Sequence, residues 1–145
     1  MVESTGAPGG IRAARREDIE AVLDVWEQAR SAAATTPDDA ESVERLIEHT
    51  SDSLLVAECD GQVVGVLVAA WDGWRGNMYR LAVLPPYRRR GIARRLVEAG
   101  HERLGRKGAS RVTALVAHGE AEAHALWRSA GYQFDKQIQR FVRNL

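Results

Sequence analysis

Apolar residues recur at helical spacing in the first third of the chain. Ile19, Val22, Leu23 and Trp26 would share one face of a helix over residues 16–30, since positions three and four apart lie on the same side of a helix. This amphipathic pattern predicts that the first helix packs against a core.

A second helix is predicted after a linker over residues 31–36. Thr36 as a hydroxyl cap, Pro37 in the first turn and two acids behind it are typical of a helix start. The apolar stripe of this helix would consist of Val43, Leu46 and Ile47.

Strand patterns fill the middle of the chain. Short β-branched runs bounded by turn residues predict four strands, and Asp60-Gly61 predicts a tight hairpin between the second and the third. The last three strands would pair antiparallel, because only short turns connect them. The predicted strands cover residues 11–14, 54–59, 63–71 and 77–83.

The last third alternates between helix and strand. Helical spacing from Ile92 to Leu104 predicts a third long helix. A strand over 111–117 would then run parallel to the strand 77–83, because the helix forms a crossover. The fold class is therefore α/β (α+β) with a mixed sheet, in the order β-α-α-β-β-β-α-β-α-β-β. The remaining elements are a helix over 120–130 and strands over 132–135 and 138–142.

The turn between the strand 77–83 and the third helix has the composition of an anion site. Three arginines follow Pro85-Pro86, and Gly91 directly precedes the helix. The first N–H groups of a helix lack internal partners and lie at the positive end of its dipole. Small side chains at Gly91 and Ala93 would let a phosphate approach them. A solvated charged loop without a ligand is the alternative.

This turn resembles the acyl-CoA pyrophosphate loop of the GNAT superfamily of N-acetyltransferases. The family pattern is Gln/Arg-x-x-Gly-x-Gly/Ala after a strand that ends in an apolar triplet, and the chain has Arg88-x-x-Gly91-x-Ala93. The segment 123–132 resembles the family's second motif, Asn-x-x-Ala-x-x-Leu/Phe-Tyr-x-x-x-Gly-Phe. The resemblance covers nearly the whole chain and implies a mostly antiparallel sheet that splays between strands four and five.

The resemblance implies acetyl-CoA as the cofactor, held by main-chain groups. The pantetheine arm would pair with the edge of strand four, like another strand. The diphosphate would lie on the arginine loop and the first turn of the helix. The implied cofactor-binding residues are Leu81, Ala82, Val83, Arg88, Arg89, Arg90, Gly91, Ile92, Ala93 and Arg94.

The catalytic positions depart from the family pattern. Many relatives have a glutamate base where this chain has Asn77 or Leu115, and a tyrosine acid where it has Trp127. The candidates for these roles are Tyr79 and Asp72, with His118 as a further base. Each has a structural alternative: Tyr79 would simply pack, Asp72-Gly73 would form a turn, and His118 would be a solvated loop residue. Acceptor binding is assigned to Trp74, Arg75 and Asn77.

Composition narrows the remaining possibilities. The 145 residues suit one domain over 11–145 behind a disordered tail over 1–10, and the formal net charge is zero. We expect no nucleic-acid partner, no membrane span, no signal peptide and a cytoplasmic location. We also expect no metal, because the histidines lack ligand spacing, with His101 and His124 assigned to helix surfaces. Dimers are common in the family, so a homodimer is compatible with the resemblance.

Three other functions compete with acetyl transfer to a primary amine of a small molecule or peptide. An acyl-CoA-binding regulatory module without turnover would explain the missing base and acid. Nucleic-acid binding through the arginine loop lacks interleaved aromatic residues. A nicotinamide-binding fold would need its glycine turn after the first strand of a βαβ series, but three antiparallel strands come first.

Overall fold

The computed structural model describes residues 8–29 and 38–145 and contains one five-stranded mixed sheet. The strand order is β1-β2-β3-β4-β5, with antiparallel pairing from β1 to β4 and parallel pairing of β4 with β5. The strands are β1 Pro8–Ala13, β2 Leu54–Cys59, β3 Gln62–Trp71, β4 Gly76–Val83 and β5 Val112–Ala114. This confirms the predicted mixed α/β fold class.

Residues 8–29 and 38–145 form four α-helices. They are α1 Ile19–Gln28, α2 Ala40–His49, α3 Ile92–Arg106 and α4 Ala121–Ser129. In the part of the chain that the structure describes, no helix combines the length and the apolar character that crossing a membrane requires.

The central strand β3 is covered on both faces. A Cβ at Gly65 would lie 3.1 Å from atoms of Ile92 and Leu96, so α3 packs closely on one face of β3. Trp26 of α1 and Val68 of β3 share a cavity on the other face. Burial on both faces explains why β3 is almost continuously apolar rather than alternating.

Two predicted boundaries in the first third need correction. The strand β1 begins at Pro8, so it takes the last three residues of the predicted tail. The helix α2 is capped by Asp39, whose carboxylate accepts a hydrogen bond from the Ser42 N–H at 2.8 Å. Thr36 and Pro37, the predicted cap and first turn, lie outside the described residues.

The prediction of two final strands was wrong. Residues 132–145 form no strand, and β5 covers only three of its seven predicted residues. Phe134 and Phe141 are 73% and 90% exposed. The apolar pattern of this segment is compatible with strands, but a three-residue edge offers few N–H and C=O groups for another strand to pair with.

Candidate functional site

A cleft opens where β4 and β5 separate. The parallel ladder runs from the pair Gly76–Val112 to the pair Met78–Ala114, and the Leu115 N–H donates to the Met78 carbonyl at 3.0 Å. The strand β4 continues to Val83 without a ladder partner on that side. The edge of β4 from residue 79 onward therefore offers main-chain groups to a bound extended chain.

A bulge in β4 lies at the start of this open edge. Tyr79 is opposite Val68 and Ala82 is opposite Val66, so β4 has one residue more than β3 between these pairs. Arg80 takes a left-handed conformation, with φ of 59°. The bulge interrupts the alternation of side chains along β4. Ala82, and not Leu81, therefore lies on the same face of the sheet as Tyr79.

Contacts from α1 and from the residue two positions before α2 hold the bulge in place. The indole N–H of Trp26 donates to the Arg80 carbonyl at 2.9 Å. The Arg80 guanidinium lies 5.1 Å from the centre of the Trp26 ring and forms an ion pair with Asp38, just before α2. These contacts satisfy a carbonyl at the bulge and stabilise a backbone conformation that is unfavourable for arginine.

The first turn of α3 follows the open edge directly. Gly91 precedes the helix with φ of 80°, and a Cβ placed there would meet only open space. The Arg88 Nε group donates to the Val83 carbonyl at 3.1 Å, which fixes the loop on the end of β4. The side chain of Ile92 is buried, so only its main chain can face a ligand.

The remaining arginines of the loop are exposed around this turn. The Arg90 guanidinium lies 5.1 Å from the centre of the Tyr87 ring, and Arg89 makes a weak exposed pair with Glu122 at 3.4 Å. Arg94 donates to the Ser129 hydroxyl at 3.2 Å and so connects α3 to α4. The positive dipole end of α3, the open approach at Gly91 and the nearby guanidinium groups together fit a diphosphate.

Two hollows meet at Tyr79 and Arg80. A cavity of about 210 Å³ lies between α1, α2 and β4. A groove of about 1510 Å³ runs along β5, α4 and the C-terminal segment. Both are lined by Tyr79 and Arg80, so these residues lie at the boundary between them.

The chemical candidates differ in their surroundings. Tyr79 is partly buried, and this burial raises the pKa of its phenol, which is therefore protonated at neutral pH. The Asp72 carboxylate accepts N–H bonds from Arg75 and Trp74, both at 2.8 Å, and these bonds lower its pKa. The carboxylate thus stabilises the turn before β4. His118 is exposed after β5.

The residues assigned to acceptor binding surround the start of β4. Trp74 is 71% exposed, and the Arg75 guanidinium stacks 4.3 Å from the centre of its ring. Asn77 pairs with Thr113 in the parallel ladder. Of these three residues, only Arg75 lines the groove.

The sequence reasoning missed a histidine–tyrosine pair in the groove. His101 Nε2 lies 2.6 Å from the Tyr132 hydroxyl, and the two rings stack. Burial lowers the pKa of His101 and raises the pKa of Tyr132 to about 12. The prediction that His101 lies on a helix surface was wrong, because its side chain is partly buried against Tyr132. The two residues are 31 positions apart, so no local sequence pattern indicates their contact. His124 is also tied down, since its Nε2 lies 3.1 Å from the Ala117 carbonyl.

Comparison with known proteins gives consistent results. The sequence profile of the acetyltransferase (GNAT) family matches residues 19–132. An acetyltransferase of Pectobacterium atrosepticum is 36% identical over 106 residues, which cover 73% of this chain and 74% of that protein. These two matches establish the family from sequence alone.

Solved structures agree at the level of the fold. Ard1 from Thermoplasma volcanium aligns with a TM-score of 0.76 at 21% identity, covering 87% of this chain and 83% of that one. An aminoglycoside N-acetyltransferase in complex with CoA aligns over 100% of both chains, with a TM-score of 0.75 at 18% identity. With the profile and the sequence relative, the conclusion is that this chain is an acetyltransferase and belongs to the GNAT family.

Proposed function

We propose that the protein transfers an acetyl group from acetyl-CoA to a primary amine of a small molecule or peptide. The observation that carries this proposal is the open edge of β4, which leads directly to Gly91 at the start of α3. A coenzyme with an extended arm and a diphosphate needs both features next to each other. The fold shared with an acetyltransferase in complex with CoA supports the same proposal.

The binding residues act mainly through their backbone. Leu81, Ala82 and Val83 would hold the arm by strand-like pairing. The loop from Arg88 to Arg90 and the first turn from Gly91 to Arg94 would hold the diphosphate through N–H groups and guanidinium charge. When bound, the thioester would supply the acetyl group: the amide C–N bond forms as the C–S bond breaks, the nitrogen loses a proton and the departing thiolate takes one up.

Tyr79 is our candidate for the proton donor. Burial raises its pKa, so the phenol holds its proton at neutral pH and would give it up only to a strong base such as the departing thiolate. No carboxylate occupies the two positions where relatives have a base, Asn77 and Leu115. An acceptor amine would therefore lose its proton to water in the groove. Asp72 is the weaker catalytic candidate, because its carboxylate is engaged in the turn.

The coenzyme site can be tested with a pair of glycine variants. Asparagine tolerates the left-handed conformation better than most residues, so Gly91→Asn adds a side chain in the approach to the main chain with little backbone strain. We expect calorimetric affinity for acetyl-CoA to fall by about 100-fold, equivalent to roughly 3 kcal/mol of lost contacts. Gly61→Asn is the matched control, because Gly61 has φ of 77° and open space in a distant turn. Equal affinity in the two variants would refute the placement.

Turnover is tested separately from binding. Release of free thiol from acetyl-CoA in the presence of a panel of primary amines measures transfer. In Tyr79→Phe we expect kcat to fall by about 100-fold, with unchanged coenzyme affinity. Coenzyme binding without thiol release for any amine would favour the regulatory module instead.

A further inference from the structure

The groove beside β5 carries far more positive than negative charge. Its described lining includes five arginines and one aspartate, although the whole chain has 20 basic and 20 acidic residues. A balanced chain that gathers one sign of charge in one groove creates a local field that attracts ligands of the opposite sign. The six charged residues are Arg75, Arg80, Arg111, Arg128, Arg140 and Asp135.

Most of this positive charge is not neutralised by the protein. Arg80 is paired with Asp38. Stacking of Arg75 on Trp74 orients its guanidinium without cancelling the charge. The nearby Asp72 carboxylate offsets part of the Arg75 charge. Within residues 8–29 and 38–145, four of the groove arginines form no ion pair: Arg75, Arg111, Arg128 and Arg140.

Two of these arginines come from neighbouring strands. Arg75 immediately precedes β4 and Arg111 immediately precedes β5, and the two strands are parallel. The Gly76 N–H donates to the Arg111 carbonyl at 3.1 Å, so the two chain segments are in contact. The two arginines therefore line one groove from adjacent points of the chain. Planar guanidinium groups are the side chains best suited to carboxylates and phosphates.

The proposed diphosphate site does not account for this charge. It lies after Val83, whereas Arg75 and Arg111 lie before Gly76 and Val112. At about 3.3 Å per residue, the two ends of β4 are about 23 Å apart. A diphosphate bound at Gly91 therefore does not reach Arg75 and Arg111 at the opposite end of the strand. These two arginines remain available for another anion.

We propose that the acceptor is an amine that carries a carboxylate or a phosphate, and that Arg75 and Arg111 bind this anionic group. The proposal rests on the acetyl transfer proposed above and defines the chemical class of its acceptor. Tyr79 lines the same groove and borders the open edge of β4, so an acceptor in the groove extends from the two arginines toward the proton donor.

Matched amines test the proposal. Thiol release is measured at saturating acetyl-CoA with 4-aminobutyrate against butylamine, with 2-aminoethyl phosphate against ethanolamine, and with spermidine as a polycation. We expect kcat/KM to be about tenfold higher for at least one anionic amine than for its neutral counterpart. The pair that shows the larger ratio identifies carboxylate or phosphate as the preferred group. Equal rates within both pairs, or a preference for spermidine, would overturn the proposal.

Arginine variants locate the anion. Arg75→Gln and Arg111→Gln should each lower kcat/KM for the preferred anionic amine by about tenfold more than for its neutral counterpart. Arg106→Gln is the control, since Arg106 is exposed on α3 outside the groove. Equal losses for the charged and the neutral amine would contradict the assignment.

Binding measurements separate this proposal from the proposed function. A protein that fails to bind acetyl-CoA disproves the proposed acetyl transfer itself. A protein that binds acetyl-CoA and acetylates neutral amines equally well disproves only the anionic acceptor. If no amine is acetylated, calorimetry measures the affinity of each amine for the protein–CoA complex. Equal affinities of the anionic and the neutral amine within both pairs would count against the proposal.

Discussion

The region around β3 and α3 and the region that follows α3 use their apolar residues in opposite ways. Seven of the ten residues of β3 are buried. In residues 107–145, all of which the structure describes, only Trp127 is buried. The first region therefore supplies most of the hydrophobic stabilisation and also forms the rigid edge proposed for the coenzyme. The second region supplies charged and aromatic groups to an open groove, where side chains can vary with little cost in stability.

The largest expected effect tests this contrast directly. Leu96 is fully buried against the sheet and Phe141 is 90% exposed. Leu96→Ala should lower the free energy of unfolding by roughly 2–5 kcal/mol, because it leaves a cavity in the core. Phe141→Ala should change it by less than about 0.5 kcal/mol. Urea denaturation measures both, and a similar loss in the two variants would show that the C-terminal segment packs in solution.

Overpacking of α3 should have the next largest effect. A Cβ at Gly100 would lie 2.6 Å from Met78 Cε and 3.3 Å from Ala69 Cβ, whereas one at Gly105 on the same helix meets nothing. Gly100→Val should destabilise the protein by about 1–3 kcal/mol. Gly105→Val should be neutral or slightly stabilising, and a reversed order in chemical denaturation would contradict the packing of α3 on β4.

The support of the bulge should contribute somewhat less. Trp26→Phe removes the N–H that donates to the Arg80 carbonyl and should cost about 1–2 kcal/mol, because a partly buried acceptor loses its partner. Trp74→Phe is the comparison, since this indole is exposed in a turn. Thermal unfolding with no difference between the variants would show that the bulge does not depend on Trp26.

A smaller effect is expected from pH. Burial lowers the pKa of His101 in the folded protein, so the unfolded chain binds a proton more readily. Protonation therefore favours unfolding, and the stability that His101 contributes decreases as the pH falls from about 6.5 toward the lower folded value. In His101→Gln, the free energy of unfolding should decrease less between pH 7 and pH 5 than in wild type, by a difference below about 1 kcal/mol. His49→Gln, on an exposed helix end, serves for comparison, and identical profiles for wild type and His101→Gln would refute the assignment.

The smallest effect is expected from truncation. Removal of residues 134–145 should change the free energy of unfolding by less than about 0.5 kcal/mol, since this segment is exposed throughout. Calorimetric unfolding of the shortened chain measures this directly. A large loss of stability would mean that the segment completes the sheet in solution.

The difference between the two regions also explains what the sequence could predict. The strands from Leu54 to Val83 and the helix α3 follow from β-branched runs, helical spacing and glycine turns, which are local signals. The bulge at Arg80 has no such signal, because arginine is not a residue expected at positive φ. The pair His101–Tyr132 depends on how α3 and the chain after α4 come together. An apolar pattern over residues 132–142 indicates the capacity to form strands but not whether a partner is available.

Position 80 is constrained from two sides, and this limits how the enzyme can change. Glycine or asparagine would relieve the backbone strain there but would give up the link to α2. Lysine would keep a positive charge but also the strain, and it lacks a planar group to stack on the indole. If all other amino acids are tested at position 80, none should give a protein as stable as the one with arginine. The site would then be among the slowest to diverge.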